Sequence, residues 1–122
     1  YKTISFEIKN DLIWIGVGLN EKKSMTTLTR DSLEELKGAI KEATEIDKKK
    51  GAKGLFIFSH KPGVFLAGMD ISVINELKNE SEAIRSLEEA HTIFNMLEDL
   101  KMPTAALVDG ICLGGGLELS LC

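Results

Sequence analysis

Apolar positions along this chain switch between two periods. Residues 3–9 (TISFEIK) alternate apolar and polar, residues 12–19 (LIWIGVGL) are more continuously apolar, and Asn10-Asp11 lies between them. Two β-rich runs joined by a turn-forming pair predict a hairpin. Residues 20–27 (NEKKSMTT) read as a polar loop. The period then lengthens: Leu33, Leu36, Ile40, Ala43 and Asp47 recur at helical spacing, and all but the last mark one buried face. Asp31 with Glu34 resembles a capping box. Lys48-Lys49-Lys50 followed by Gly51 makes a stop, cations at the negative helix end and then a residue that tolerates a left-handed backbone.

The second half repeats the plan. Residues 54–59 (GLFIFS) predict a strand buried on both faces. His60-Lys61-Pro62-Gly63 is a turn, and residues 64–71 lead into a short helix near Val73–Leu77. A long helix is expected over Ser81–Leu100, with Ile84, Leu87, Ala90, His91, Phe94, Leu97 and Leu100 on its apolar face. Lys101-Met102-Pro103 ends it, because the residue before proline disfavours the helical region. Residues 104–108 (TAALV) read as another buried strand, Asp109-Gly110 as a turn, Ile111–Leu113 as short and extended, and Gly114-Gly115-Gly116 as the opening of a last helix. The order β-β-α-β-(α)-α-β-β-α predicts an α/β fold built as a spiral of similar units, too divergent to be called a sequence repeat.

Composition narrows the class. The chain has 122 residues, 43% apolar and 28% charged, with a net charge of −4. That is enough for one domain with its own core, needing neither disulfide nor metal. The acidic balance argues against a nucleic-acid partner, but not against an anionic ligand held by a few lysines. Cys112 and Cys122 sit in apolar runs with no CxxC pair, so they read as reduced thiols and no metal site is expected. No apolar stretch approaches a membrane span. Strand-like sequence follows Tyr1 directly, so no signal peptide is expected within these residues, and the absence of a start Met suggests that residues upstream are missing. The stop at Cys122 within an apolar helical run (Leu117, Leu119, Leu121) makes residues 1–122 read as part of a domain. The apolar surface left by a missing part would favour self-association.

Two glycine-bearing loops stand out: Phe65-Leu66-Ala67-Gly68-Met69-Asp70-Ile71, and Asp109 through Leu119 (DGICLGGGLEL). Each follows a strand and precedes a helix, where backbone N–H groups are unpaired and glycine lets a ligand approach closely. Two such loops aimed at one point make an oxyanion hole without a side chain. Glu118 lies in the first turn after the glycines; the helix start lowers its proton affinity while flanking Leu117 and Leu119 would raise it. Plainer readings exist. The triple glycine is also a tight connection, it is no P-loop because no GK[ST] follows, and Gly16-Val17-Gly18 lies within a strand. Asp70 reads as a helix N-cap. His91 reads as a core or interface histidine, His60 as solvent-facing, and Trp14 and the phenylalanines as core.

VFLAGMDI and DGICLGGGLELSLC resemble the two signatures of the crotonase (enoyl-CoA hydratase/isomerase) superfamily. Within it the chain is most similar to the N-terminal hydratase/isomerase domain of the multifunctional subunit of fatty-acid oxidation complexes. The resemblance implies the N-terminal portion of the crotonase (ClpP-like) spiral of β-β-α repeats. It implies that the N–H groups of Met69 and Gly115 hold the thioester oxygen. Ala67, Gly68, Asp70, Ile71 and Gly114 would line the CoA and substrate pocket, with Lys23, Ser24 and Met25 near the CoA nucleotide. Glu118 would be the first of two catalytic glutamates, the second lying roughly twenty positions later. Met69 stands where a small residue is common, and Thr26 where Asn is frequent. The implied reaction is hydration of 2-enoyl-CoA in fatty-acid β-oxidation. The alternatives are 3-enoyl-CoA isomerisation, another crotonase reaction, or a non-catalytic acyl-CoA-binding or scaffold module. No separate cofactor is implied, since CoA is part of the substrate. The implied partners are the acyl-CoA thioester and a second copy or a β-oxidation complex subunit, in the bacterial cytoplasm or mitochondrial matrix.

Overall fold

The computed structural model describes all residues, Tyr1–Cys122. The elements are β1 (Ile4–Lys9), β2 (Leu12–Val17), α1 (Arg30–Lys50), β3 (Gly54–Ser59), β4 (Val64–Leu66), α2 (Ile71–Asn75), α3 (Glu80–Glu98), β5 (Thr104–Leu107), β6 (Ile111–Cys112) and α4 (Gly115–Ser120). Three times, two strands are followed by helix. The first strands of each unit, with β2, form one sheet in the order β1-β2-β3-β5; β4 and β6 form a second, two-stranded sheet. The predicted hairpin is present, β1 antiparallel to β2 from Ile4↔Val17 to Lys9↔Leu12. Its turn residues Asn10 and Asp11 both take positive φ, 53° and 64°, the backbone that a two-residue hairpin turn needs. β2–β3 and β3–β5 are parallel, so each return crosses over by a helix.

α1 covers one face of the large sheet. Leu36, Ala39, Ile40 and Ala43 are fully buried against Ile13, Ile15, Leu55 and Ile57. Asp47, at the same spacing, stays out of the core and accepts a hydrogen bond from the Ala52 N–H at 2.9 Å. On the other face Trp14 stacks on Phe56 with ring centroids 4.6 Å apart, and both rings are half-buried. GLFIFS is therefore sealed on one face only.

Four expectations need correction. The capping box of α1 is Thr29 with Ser32, not Asp31 with Glu34: the Ser32 N–H donates to Thr29 Oγ1 at 3.1 Å, and the Thr29 N–H donates to Ser32 Oγ at 2.8 Å. Thr29→Ala should therefore cost about 1 kcal/mol, read as a lower midpoint in urea, whereas Asp31→Ala should leave it nearly unchanged. Residues 104–107 are not buried; Thr104, Ala105 and Leu107 are exposed, because β5 is an edge strand paired only with β3. Val64–Leu66 form a fully buried strand rather than a lead-in. Finally, the apolar face of α3 is buried only in its second half, at Ala90, Ile93, Phe94 and Leu97, while Ile84 and Leu87 are 49% and 55% exposed.

Candidate active site

The first glycine loop is held in register by the end of the polar loop. The Ala67 N–H donates to Thr26 O (2.8 Å), the Leu28 N–H to Gly68 O (2.8 Å) and the Asp70 N–H to Leu28 O (2.9 Å). Residues 26–28 thus lie alongside 67–70 like a strand, with Leu28 paired to Met69. Alternation along that ladder turns the Met69 N–H away from Leu28, and it donates to no protein acceptor. The second loop is tied to the first by the Leu113 N–H donating to Leu66 O at 2.9 Å. The Gly116 N–H turns back to Leu113 O (2.9 Å) and the Glu118 N–H to Gly114 O (3.1 Å), which leaves the Gly115 N–H unpaired as well.

Gly68 and Gly114 make this juxtaposition possible. Both have positive φ, 104° and 51°, which other residues adopt only with strain. A Cβ on Gly114 would stand 3.6 Å from the Gly68 Cα, so the two loops abut through their backbones. Between them and α3 lies a cavity of about 330 Å³ whose wall includes Met69, Gly115 and Glu118 with Leu28, Leu87 and Phe94. The three residues expected to do chemistry therefore meet at one place.

The residues expected to hold CoA do not line that cavity. Lys23, Ser24 and Met25 lie exposed on the 20–27 loop, and Ile71 is 71% exposed at the start of α2. Asp70 is the N-cap of α2, as its residue type suggested: Oδ1 accepts from the Ser72 N–H (2.9 Å) and the Ser72 hydroxyl (2.5 Å). Its Oδ2 accepts from Thr27 Oγ1 (3.0 Å) and Lys23 Nζ (3.1 Å). Lys23, expected to face a phosphate, is thus engaged by a carboxylate, and the Lys61 ammonium donates to the Lys23 carbonyl.

The Ser72 bonds, with those of Lys23 and Thr27, hold the Asp70 carboxyl well below the usual carboxylate range. A lowered folded-state pKa stabilises the fold above the unfolded value of about 3.9, and the contribution is lost as pH falls through the folded value. Asp70→Asn should therefore lower the melting temperature above about pH 4, with the gap to wild type closing as the pH is taken lower. A gap that stays constant down to acid pH would contradict this.

Two further expectations change. Glu118 is exposed rather than partly buried: of its flanking leucines only Leu119 points inward (1% exposed), while Leu117 is 47% exposed. His91, read as a core or interface histidine, is not in the core; it is exposed on α3 and lines the cavity together with Glu118. Its place on the 84–87–91–94 face of the helix was readable, but what that face meets was not. Leu28, also on the wall, gave no signal, because it gains its position only through pairing with Met69. His60 is exposed as expected, within 2.7 Å of Ser5 Oγ. Cys112 and Cys122 are unpaired and half-buried, and burial pushes the Cys122 thiol up, helped by Glu98 and Glu118. No helix is long and apolar enough to cross a membrane.

The family model described as "Enoyl-CoA hydratase/isomerase" matches residues 15–122. The chain belongs to the enoyl-CoA hydratase/isomerase family. The match takes in both glycine loops and Glu118. The chain is 34% identical over 120 residues to the fatty acid oxidation complex subunit alpha of Vibrio vulnificus, covering 96% of itself and 16% of that relative. It is 38% identical over 110 residues to the subunit of the same name from Aliivibrio fischeri, covering 90% of itself and 16% of the relative. Among solved structures, the enoyl-CoA hydratase of Bacillus anthracis superposes with a TM-score of 0.82 at 28% identity, over 98% of this chain and 44% of that one. The fold is the α/β crotonase fold of this family. The chain spans about a sixth of the length of the curated relatives it matches and under half of that hydratase.

Proposed function

We propose that this chain supplies the oxyanion hole and one acid/base group of a site that hydrates 2-enoyl-CoA thioesters in fatty-acid β-oxidation. One observation carries the reading: Met69 and Gly115, whose N–H groups are both unpaired within the protein, line one cavity with Glu118. Donors fixed by strand pairing need no reorganisation as charge develops, which is where such donors act. In the reaction, water oxygen bonds to C3 as its proton passes to the Glu118 carboxylate. The C2=C3 electron pair moves onto the thioester oxygen, held by the two N–H groups. The enolate then re-forms the carbonyl as C2 takes up the proton held by Glu118, returning that side chain to its carboxylate, so the sum is addition of one water.

A second reading is isomerisation of a 3-enoyl-CoA, favoured by Glu118 being the only carboxylate on the wall: moving one proton between C2 and C4 needs a single carboxylate. Association as a subunit of an oxidation complex, and a bacterial cytoplasmic site of action, are proposed from the bacterial relatives' names. In the same way, residues 1–122 are proposed as part of a larger hydratase/isomerase domain, with Lys23 turning from Asp70 to a CoA phosphate. Turnover of crotonyl-CoA by the full-length gene product, with and without Glu118, tests the hydratase reading. A wild-type protein that moves the double bond of a 3-enoyl-CoA but adds no water would replace it with the second.

A further inference from the structure

The cavity that holds Glu118 has a neighbour. A second cavity, of about 200 Å³, lies where the start of α1 meets α2 and α3. Its buried lining is Leu33, Val73 and Ile93, while Arg30, Glu34 and Glu89 on its wall are exposed. An apolar floor below an exposed charged rim accepts an alkyl chain more readily than a polar group, which would find no buried partner there.

Two residues line both cavities, Met69 and Ser86, and they form the partition. Ser86 ends at Oγ, whereas Met69 extends through Cγ and Sδ to Cε. Met69 is half-buried and packed against the core, so its side chain closes most of the passage. The N–H of the same residue faces the site unpaired. An acyl group whose thioester oxygen rests on that N–H therefore lies beside the partition.

Resting on the hydratase reading, we propose that the Met69 side chain determines acyl-length specificity, as the stop that keeps the acyl chain out of the second cavity. Main chain and side chain of one residue then have separate work, the N–H on the thioester oxygen and the thioether end against the alkyl chain. Shortening the side chain keeps an N–H at this position and joins the two cavities, so the site takes longer acyl chains. The partition and the buried lining of the second cavity all lie between Leu33 and Ile93. The effect is a change in the ratio between two acyl lengths, from which contributions shared by wild type and variant cancel.

The test uses the full-length gene product. Binding is measured with butanoyl-CoA and decanoyl-CoA, saturated thioesters that cannot be hydrated, and turnover with crotonyl-CoA and 2-decenoyl-CoA. Met69→Ala should raise the preference for the longer over the shorter thioester by about tenfold or more, in Kd and in kcat/KM alike, the scale of a methylene admitted to an apolar pocket. Met69→Val should give an intermediate shift, and its branched side chain suits a position paired like a strand with Leu28, so it serves where the alanine variant does not fold. Val73 lines the second cavity only. Val73→Phe should therefore return the ratio of Met69→Ala towards the wild-type value and should leave the ratio of the wild type unchanged. An unchanged ratio in both truncations overturns the proposal and leaves the hydratase reading intact. A raised ratio that Val73→Phe does not reverse also overturns it, because the longer chain then runs elsewhere. If the wild type hydrates neither enoyl thioester, the hydratase reading falls and the binding ratio decides the stop. If the wild type binds neither saturated thioester, both fall.

Discussion

Replacing Glu118 with glutamine in the full-length gene product should lower kcat for crotonyl-CoA hydration by about a hundredfold or more, the contribution of a positioned acid/base group. Glutamine has the shape of the carboxylate but accepts no proton from water. The oxyanion donors are backbone groups fixed by the Leu28–Met69 pairing and by the Leu113–Leu66 hydrogen bond, so they survive the change. KM should therefore move little while kcat falls, the pattern of an interaction made in the transition state. Folding should also be indifferent, because the Glu118 side chain is exposed and lies outside the core. Steady-state kinetics with a melting curve of the same variant checks both halves. Retained turnover would remove Glu118 from the chemistry and leave an acyl-CoA-binding module as the better account of the two loops.

How much of this was readable before any coordinates depends on whether the cause was local. The hairpin was readable because Asn10-Asp11 encodes its own turn, and α1 because its buried face recurs at a fixed spacing. Asp70 as a cap was readable for the same reason: the ligands of its Oδ1 are two residues away. What failed was set by distant partners. β4 spans only Val64–Leu66, and its strand character comes from β6, paired at Val64↔Ile111. The Thr29 box and the Asp31 alternative both carry good capping residues, and the choice depends on where the chain leaves the Leu28–Met69 ladder. His91 sat on the correct helical face, yet that face is half core and half cavity wall. The division depends on what packs against the helix, α1 included, not on α3 itself. The chemistry was readable through the two glycine loops because both oxyanion donors are main-chain atoms, whose position depends on loop shape more than on any side chain.

Gly116 offers the sharpest test of how the second loop is held. A Cβ added there would lie 2.6 Å from Leu66 O, closer than real contacts allow, and 3.0 Å from Leu66 C, at the tight limit. The obstacle is backbone in a fully buried strand, and Leu66 O is already engaged by the Leu113 N–H, so β4 has little freedom to yield. α4 must move instead, and Gly115 is its first residue. Gly116→Ala should thus cost about 1–3 kcal/mol, the usual range for overpacking. It should also lower hydration on the order of a hundredfold, because a displacement near 1 Å at a positioning group has that effect. Gly115→Ala supplies the contrast: its Cβ would meet only the Leu28 Cδ1 atom, at 3.2 Å, a side-chain tip that need give by only a few tenths of an ångström, rather than backbone. Thermal melts of the two variants should therefore separate clearly, with Gly116→Ala the lower. Equal melting temperatures would mean that α4 is not seated against β4 as closely as this packing requires, and that the Gly115 N–H owes its position to something other than the missing Cβ of Gly116.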